Sequence, residues 1–436
     1  MHKKLLAGAS AIALILASVG GVSAASDGLP DLSGQTLTIF GPWLGVDKDN
    51  FEKVVDGFRQ ATGATVEYSG SDSFEQQIII DTQAGSPPNI AVFPQPGLAA
   101  DLAAKGLLTP LSSDLTNLVL NDYAAGQSWV DLSSYPDANG DVKMFAFPFK
   151  ADVKSLVWYS PDNFSEAGYT VPQTMEELIA LSNKIVADGS TPWCIALGSG
   201  AATGWPATDW VEDIMLRTQP PSVYDDWVTN KIPFNDPRVV NAIKIFGSFA
   251  KNEAYVAGGV AAVATTDFRD GPKGLFTVPP GCYMHKQASF IPSFFPKGTV
   301  LGTDADFFYF PPYANEDLGR PVLGGGTLFT LTKDSPAAEA FLQYLGTAKA
   351  NEIWMGLSGF LSANKTVDPS KYANDTLRKL GKILAAATTF RFDGSDLMPG
   401  AVGAGSFWTG MVDYVSTDES AKSVADAIQA SWDAIK

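Results

Sequence analysis

Apolar and polar residues near the start of the chain follow two alternating patterns. Short β-favouring runs, each bounded by Gly, Pro or polar turn residues, lie at 36–40, 65–68 and 90–93. After the first run, four apolar side chains have the spacing of one helical face: Phe51, Val54, Val55 and Phe58. This pattern predicts a helix that Asp49 caps and that ends at Gly63.

Two further helices are predicted in the same region. Ser73, with Gln76 three residues later, has the pattern of a capping box and opens one of them. The other covers 98–105 and closes at Gly106. Strands and helices therefore alternate, which predicts an α/β fold with a parallel sheet covered by helices. Ligands of such sheets bind beyond the carboxyl ends of the strands, so we expect binding residues in the loops at 41–43, 71–74 and 93–96.

Similar patterns continue to the C-terminus. Further strands are predicted at 143–149, 155–159, 193–197, 307–312 and 327–332. Helices are predicted to begin at Thr174 and at Ser335, and a last amphipathic helix contains Val424, Ile428 and Trp432.

The N-terminus has the organisation of a secretory signal peptide. Lys3 and Lys4 precede an apolar run at 5–19, and small residues follow at 22–24. The run is shorter than the roughly 20 apolar residues that span a bilayer, which argues against a membrane anchor. We expect residues 1–24 to be removed after Ala24, leaving a periplasmic protein.

Length and charge limit the classes of protein. A chain of 436 residues exceeds the roughly 250–300 that one core supports, so two domains are expected. The net charge of −17 argues against nucleic acid or an anionic membrane as the partner, because both attract basic surfaces. The 10 Trp residues are numerous; core packing explains most of them, and flat faces for sugar rings are the functional alternative.

Cys194 and Cys282 are the two cysteines of the chain. In an oxidising compartment two cysteines suffice for one disulfide, and we predict that these two pair. Closing a loop of this length would contribute at most about 4–5 kcal/mol in the chain-entropy model. Two buried free thiols are the alternative.

No motif indicates an enzyme, a metal or a cofactor. A secreted glycoside hydrolase would need two carboxylates about 5–10 Å apart, and no motif among the 47 acidic residues marks such a pair. His285 alone remains for a histidine-dependent site beyond the signal peptide, and the chain lacks G-x-S-x-G, H-E-x-x-H, a Walker A loop and G-x-G-x-x-G. We therefore expect neither an enzyme nor a cofactor.

Several phrases, in order along the chain, resemble the family 1 extracellular solute-binding proteins, which include maltose- and trehalose-binding proteins. They are Gly85-Ser86-Pro87-Pro88-Asn89-Ile90, Gly106-Leu107-Leu108-Thr109-Pro110-Leu111, Pro172-Gln173-Thr174-Met175-Glu176-Glu177, Gly324-Gly325-Gly326, and Met398-Pro399 followed by Phe407-Trp408. Asn89 and Met175 replace the family's usual Asp and Trp. The segments at 204–210 and 392–400 resemble more narrowly the α-glucoside-binding branch.

The resemblance implies a two-lobed periplasmic-binding-protein fold of type II, with three crossings and a ligand cleft between the lobes. The N-terminal lobe would be 25–150 plus 307–346, and the C-terminal lobe 151–306 plus 347–436. The implied function is capture of a small α-glucoside, such as sucrose, trehalose or maltose, for an ABC importer. The partners would be the sugar and the membrane permease subunits, with the protein a monomer. The same fold binding a polyol, a polyamine or ferric ion is the alternative.

Sugar recognition needs aromatic planes for the C–H face of the ring and fixed polar groups for its hydroxyls. The resemblance places Phe93, Lys150, Asp152 and Trp408 at the cleft. Trp43, Trp205 and Trp210 are added because they are predicted to lie on loops. Polar and glycine candidates complete the predicted site: Gln95, Asp209, Gln287, Gly325, Gly326, Arg391, Asp393 and Asp396. For the tryptophans the alternative is core packing, and for the charged residues it is a salt bridge or a helix cap.

Overall fold

A computed structural model describes residues 28–386 and 389–435. The predicted signal peptide at 1–24 lies outside these residues. In the described part of the chain, no helix combines the length and the apolar character needed to cross a membrane.

Strands and helices alternate over residues 36–104, and in the rest of the chain they occur in runs. The strands are β1 (Thr36–Gly41), β2 (Thr65–Gly70), β3 (Ile90–Phe93), β4 (Ser134–Pro136), β5 (Val142–Met144), β6 (Ala146–Val153), β7 (Leu156–Tyr159), β8 (Met284–Lys286), β9 (Asp306–Tyr309), β10 (Val322–Leu331) and β11 (Phe390–Phe392). The helices are α1 (Gly45–Thr62), α2 (Phe74–Gln83), α3 (Pro96–Ala104), α4 (Ser113–Asp122), α5 (Gly126–Leu132), α6 (Pro161–Ala167), α7 (Met175–Ala187), α8 (Trp205–Thr218), α9 (Pro221–Val228), α10 (Pro237–Ala250), α11 (Val260–Val263), α12 (Pro336–Leu345), α13 (Ala348–Met355), α14 (Asp375–Ala386), α15 (Gly394–Leu397), α16 (Trp408–Ser416) and α17 (Ala421–Asp433).

The largest sheet has the strand order β11-β10-β3-β1-β2, and β6 pairs with β10. β1 is parallel to both β2 and β3, which confirms the parallel pairing expected from the alternation. The carboxyl ends of these three strands therefore meet at one edge of the sheet, where their loops form one surface.

The first helix is longer than predicted. α1 begins at Gly45 rather than at Asp49, and its N-terminal carboxylate is Asp47. Phe51 and Val54, on the predicted apolar face, are fully buried. Gly63 ends the helix with φ +73, a left-handed conformation that glycine adopts without a steric penalty.

β10 crosses the centre of the largest sheet, and each of its ten residues is buried. It pairs antiparallel with β3 and β6 and parallel with β11. The three glycines at 324–326 lie inside this strand rather than between two strands. A side chain would not fit at Gly326, because its Cβ atom would lie 2.5 Å from the carbonyl oxygen of Lys150.

A smaller sheet has the order β8-β7-β9. Cys194 and Cys282 form the predicted disulfide beside it, with their Cα atoms 5.5 Å apart. The prediction of a strand at 193–197 was wrong. Within this segment Trp193 makes only isolated β-bridges, to Val256 and Met284. Its apolar run is buried as an irregular segment, and periodicity cannot distinguish these two states.

Two packing observations bear on the predicted lobes, whose boundaries remain a prediction. β9 pairs with β7 in the smaller sheet, although the division assigns residues from 307 to the N-terminal lobe. Trp354 on α13 packs against Trp43 and Phe51, with ring centroids 5.1 and 6.2 Å apart, so α13 shares the core of the largest sheet.

Candidate functional site

The loops that follow β1, β2 and β3 line one side of a cavity that opens to solvent. The lining residues from these loops are Pro42, Trp43, Ser71, Asp72, Pro94 and Gln95. The cavity thus lies where the sheet topology placed the ligand site.

Aromatic rings line the opposite side. Trp205, the first residue of α8, is half-buried, and its ring lies 5.0 Å from Phe268 and 6.0 Å from Phe290. Phe294 extends this wall, at 5.6 Å from Phe268. Trp408 also lines the cavity but is nearly buried, and its indole N–H donates to the hydroxyl of Ser395 over 3.4 Å.

Gly204 brings the two tryptophans together. Its φ is +116, and a Cβ atom there would lie 2.2 Å from the carbonyl oxygen of Trp408. Only glycine fits this approach, so the residue fixes the start of α8, and with it Trp205, against Trp408.

Each cation of the cavity wall has a carboxylate partner and an aromatic neighbour. Lys150 pairs with Asp152 over 2.9 Å and lies 5.0 Å from the ring centre of Phe290. Lys154 contacts Asp209 and Asp393 and lies 5.5 Å from the ring of Trp205. Arg269 pairs with Asp72 over 2.8 Å and stacks on Phe268 at 4.4 Å. These contacts hold the three cations in place against the aromatic rings of the lining.

Asp47, Glu75 and Asp396 also line the cavity, and no ion pair to them is found among the described residues. Burial raises the pKa of Asp47 to about 6 and that of Glu75 to about 7. Burial, reinforced by the charge of Asp393, raises the pKa of Asp396 well above its usual value. Glu75 can therefore hold a proton near neutral pH.

A buried charge cluster supports the cavity from behind. Asp209, Glu212 and Asp393 place carboxylate oxygens within 4.8 Å of one another, close enough for a metal ion. Lys154 already supplies a positive charge to Asp209 and Asp393. Burial opposes ionisation of Asp393, but the charge of Lys154 outweighs it and lowers the pKa of Asp393 to about 2. The cluster is therefore built around an internal ammonium group.

Three buried oxygen atoms of the cavity lining have no hydrogen-bond partner: Oδ1 of Asp47, Oε1 of Gln95 and Oγ1 of Thr327. Leaving such atoms unpaired costs about 1–3 kcal/mol each. A ligand that donates hydrogen bonds to them would remove this cost.

Eight of the predicted site residues line the cavity: Trp43, Gln95, Lys150, Asp152, Trp205, Gly326, Asp393 and Trp408. Asp396, the further acid proposed from the sequence, lines it as well. Their part in ligand binding remains a prediction, but the structure brings all of them to one place.

Six others do not line the cavity: Phe93, Asp209, Trp210, Gln287, Gly325 and Arg391. Phe93 and Trp210 belong to the cores, where they pack on Phe74 at 5.1 Å and on Trp193 at 5.2 Å. Trp210 lies inside α8 rather than on the predicted loop. Core packing therefore accounts for both rings.

The polar members of this group have partners within the protein. Arg391 makes a bidentate pair with Asp225, and Asp209 binds Lys154. The side-chain oxygen of Gln287 accepts a hydrogen bond from the backbone N–H of Ala288. Gly325 pairs with Asp152 inside the sheet. Asp209 and Gly325 lie directly behind the cavity lining.

Sequence reasoning missed several lining residues, including Asp47, Glu75, Lys154, Phe268, Arg269 and Phe290. Glu75 directly follows the loop at 71–74, where binding residues were expected because it lies at the carboxyl end of a strand, so the sequence contained a signal for it. Phe268 and Arg269 lie in an irregular segment without a periodic pattern, and no local signal marks them.

Comparison with known proteins gives consistent results. A sequence profile of the bacterial extracellular solute-binding proteins matches residues 45–352. The chain is 62% identical, over 93% of its length and 89% of the relative's, to the alpha-glucosides-binding periplasmic protein AglE of Rhizobium meliloti (strain 1021). It is 42% identical, over 92% and 93%, to the osmoprotective compounds-binding protein GgtB of Synechocystis sp. (strain ATCC 27184 / PCC 6803 / Kazusa).

Solved structures confirm the fold. The bacterial solute receptor AcbH, described as preferring β-D-galactopyranose, superposes with a TM-score of 0.78 at 22% identity, covering 92% of this chain and 99% of that one. Maltose-bound MalE3 of T. maritima superposes with a TM-score of 0.69 at 16% identity, covering 92% and 100%. The predicted α/β fold of periplasmic binding proteins is thus confirmed.

Proposed function

Because the chain belongs to the family of bacterial extracellular solute-binding proteins, we propose that its cavity captures a small α-glucoside, such as sucrose, trehalose or maltose. It acts in sugar uptake as a binding protein and is not an enzyme. The periplasmic location after cleavage near Ala24 and the monomeric state are parts of the same proposal. The partners are the permease subunits of an ABC importer.

The observation that carries the proposal is the combination of surfaces in one cavity. Trp205, Phe268 and Phe290 offer aromatic planes to the C–H faces of sugar rings. Buried acceptors such as Gln95 and Asp47 lie in the same lining and match the hydroxyl groups of a sugar. The 62% identity to an α-glucoside-binding protein supports the choice of sugar.

A small neutral polyol is the second candidate. The relation to a protein that binds osmoprotective compounds favours it. It would use the same acceptors but would gain less from the aromatic wall, because an acyclic chain offers less flat apolar area.

Isothermal titration calorimetry distinguishes these ligands. We expect heat with at least one of sucrose, trehalose and maltose, and weaker heat or none with glycerol and sorbitol. Binding to spermidine or ferric ion, with none to the three disaccharides, would overturn the carbohydrate assignment.

A further inference from the structure

The charged donors of the cavity are already paired, whereas some of its buried acceptors are not. Its three cations are held by carboxylates of the protein, as Lys150 by Asp152 and Arg269 by Asp72 illustrate. A ligand carboxylate would have to displace one of these partners, which would then be a buried charge without a counterion.

Glu75 and Asp396 lie on two different elements of the lining, and neither makes a direct ion pair among the described residues. Glu75, on α2, accepts one hydrogen bond from Nε2 of Gln95 over 3.0 Å. Asp396, on α15, lies next to Ser395, whose hydroxyl receives the indole N–H of Trp408. The two acids interact electrostatically, since the charge of Glu75 contributes to the raised pKa of Asp396.

Gln95 supplies an independent indication of what this end of the cavity accepts. Its side chain is 4% exposed and lines the cavity, and Oε1 has no hydrogen-bond partner. Nε2 donates one of its two hydrogens to Glu75, whereas Oε1 stays unpaired. A ligand group that donates a hydrogen bond to Oε1 would satisfy this buried acceptor.

We propose that Glu75, Asp396 and Gln95 make this end of the cavity selective for groups that donate hydrogen bonds. The site then takes glucosides with an ammonium group there, as well as neutral ones, and rejects glucosides with a carboxylate. This specificity rests on the proposed binding of α-glucosides.

The protonation of the two acids follows the ligand. Glu75 faces Asp72 as its charged neighbour, and Asp396 faces Lys154, Asp209, Asp393 and Glu75. An ammonium group favours the ionised carboxylates, so its binding releases protons and tightens as the pH rises through the pKa of Glu75, about 7. A neutral hydroxyl is compatible with either state and binds with little proton release.

Calorimetry of a matched ligand series tests the selectivity. The parent probes are trehalose and maltose. Each is compared with derivatives that carry an amine at C2 or C6 of one glucose unit (the non-reducing unit in maltose), and with the uronic acid, in which C6 of that unit is a carboxylate. At pH 7.5 we expect one amine derivative to bind about tenfold more tightly than its parent, because charge-assisted hydrogen bonds are roughly twice as strong as neutral ones. We expect each uronic acid to bind at least about tenfold more weakly. Titration in buffers of different ionisation enthalpy should show proton release for the amine only.

Charge-neutral variants assign the effect to these residues. Glu75→Gln and Asp396→Asn should each remove most of the amine's advantage while the parent sugar still binds. Asp49→Asn is the matched control, because it removes an exposed carboxylate from α1 outside the lining and should preserve the advantage. Circular dichroism and melting temperatures confirm that each variant is folded.

The outcomes separate the two proposals. If neither trehalose nor maltose nor any derivative binds, the α-glucoside assignment itself fails for these sugars and the selectivity with it. If the parents bind and the uronic acids bind equally well, or no amine gains affinity, only the selectivity is overturned. An advantage that persists in both variants would also overturn it.

Discussion

The tryptophan side chains of the cavity lining differ in how much of each ring is exposed. Trp205 is half-buried and presents part of its ring to the cavity, whereas Trp43 and Trp408 are 7% and 2% exposed. The resemblance singled out Trp408, but the geometry makes Trp205 the ring with more free surface for a sugar. Which tryptophan reaches the cavity depends on tertiary packing, and this is why sequence alone left core packing open for each.

Trp205→Ala should weaken α-glucoside binding by about thirtyfold, since loss of an aromatic anchor at a binding surface typically costs 2 kcal/mol or more. Calorimetry gives the affinity, and thermal unfolding gives the stability, which should change less. The matched control is Trp227→Ala, which removes a fully buried ring outside the lining. That change should cost roughly 3–5 kcal/mol of stability without a selective effect on binding. Wild-type affinity in a folded Trp205→Ala protein would contradict the stacking role.

His285 makes stability depend on pH. Burial lowers its pKa to about 4, and its Nδ1 lies 2.7 Å from the carbonyl oxygen of Cys194. The unfolded chain binds a proton at this residue below about pH 6.5, while the folded protein does so only near pH 4. The contribution of His285 to the free energy of unfolding is therefore fully present above pH 6.5. It falls by up to roughly 3 kcal/mol as the pH drops to 4.

The comparison protein for this effect is His285→Gln, which keeps a hydrogen-bonding group but does not titrate. Urea unfolding at pH 7 and pH 4.5 should show a smaller pH-dependent loss in the variant than in the wild type. Equal losses in the two proteins would show that His285 does not titrate as described.

Among the regular elements, those with strong local signals were predicted well. Phe51 and its neighbours fixed α1, and Thr174 caps α7 through the amide of Glu177, as expected. The first three strands and their loops led to one side of the cavity. Trp205 and Trp210 were misassigned to loops because a glycine and a proline flank the start of α8, and proline is also compatible with the first helical turn. Lys154 could not be connected with Asp209 and Asp393, since such pairs depend on the tertiary fold.

The start of α8 gives a test at the level of elements. Gly204→Ala should lower stability, because a Cβ atom would clash with the carbonyl oxygen of Trp408 and φ would stay at +116. It should also weaken sugar binding, since Trp205 and Trp408 would move apart. Gly85→Ala is the control for backbone strain alone: its φ is +74 and no atom lies within 4 Å of the added Cβ. That strain costs about 1–3 kcal/mol. A Gly204→Ala protein no less stable than Gly85→Ala would refute the close approach.

At the scale of the whole molecule, contacts across the cavity hold its two sides together. Arg269 reaches Asp72 in the loop after β2, and the side-chain oxygen of Asp101 on α3 accepts from the backbone of Gly400. Both contacts bridge segments far apart in sequence. We predict that the two sides can also separate, which would break these contacts.

Arg269→Gln should therefore favour the open arrangement. We expect small-angle X-ray scattering to show a larger radius of gyration for the ligand-free variant than for the wild type, and faster sugar dissociation. Arg238→Gln is the control, because Arg238 pairs locally with Asp236 on the same helix start. Identical scattering and dissociation in the wild type and Arg269→Gln would exclude a latch at this position.

The central position of β10 also has a consequence for the time course of synthesis. β3 obtains its partner on one side only when residues 328–331 are available, and β6 pairs with the same strand. At about 5–20 residues per second, some tens of seconds separate the synthesis of β1 from that of β10. Throughout that interval the N-terminal strands have an incomplete sheet with an open edge. The largest sheet therefore cannot be completed until more than two thirds of the chain has been made.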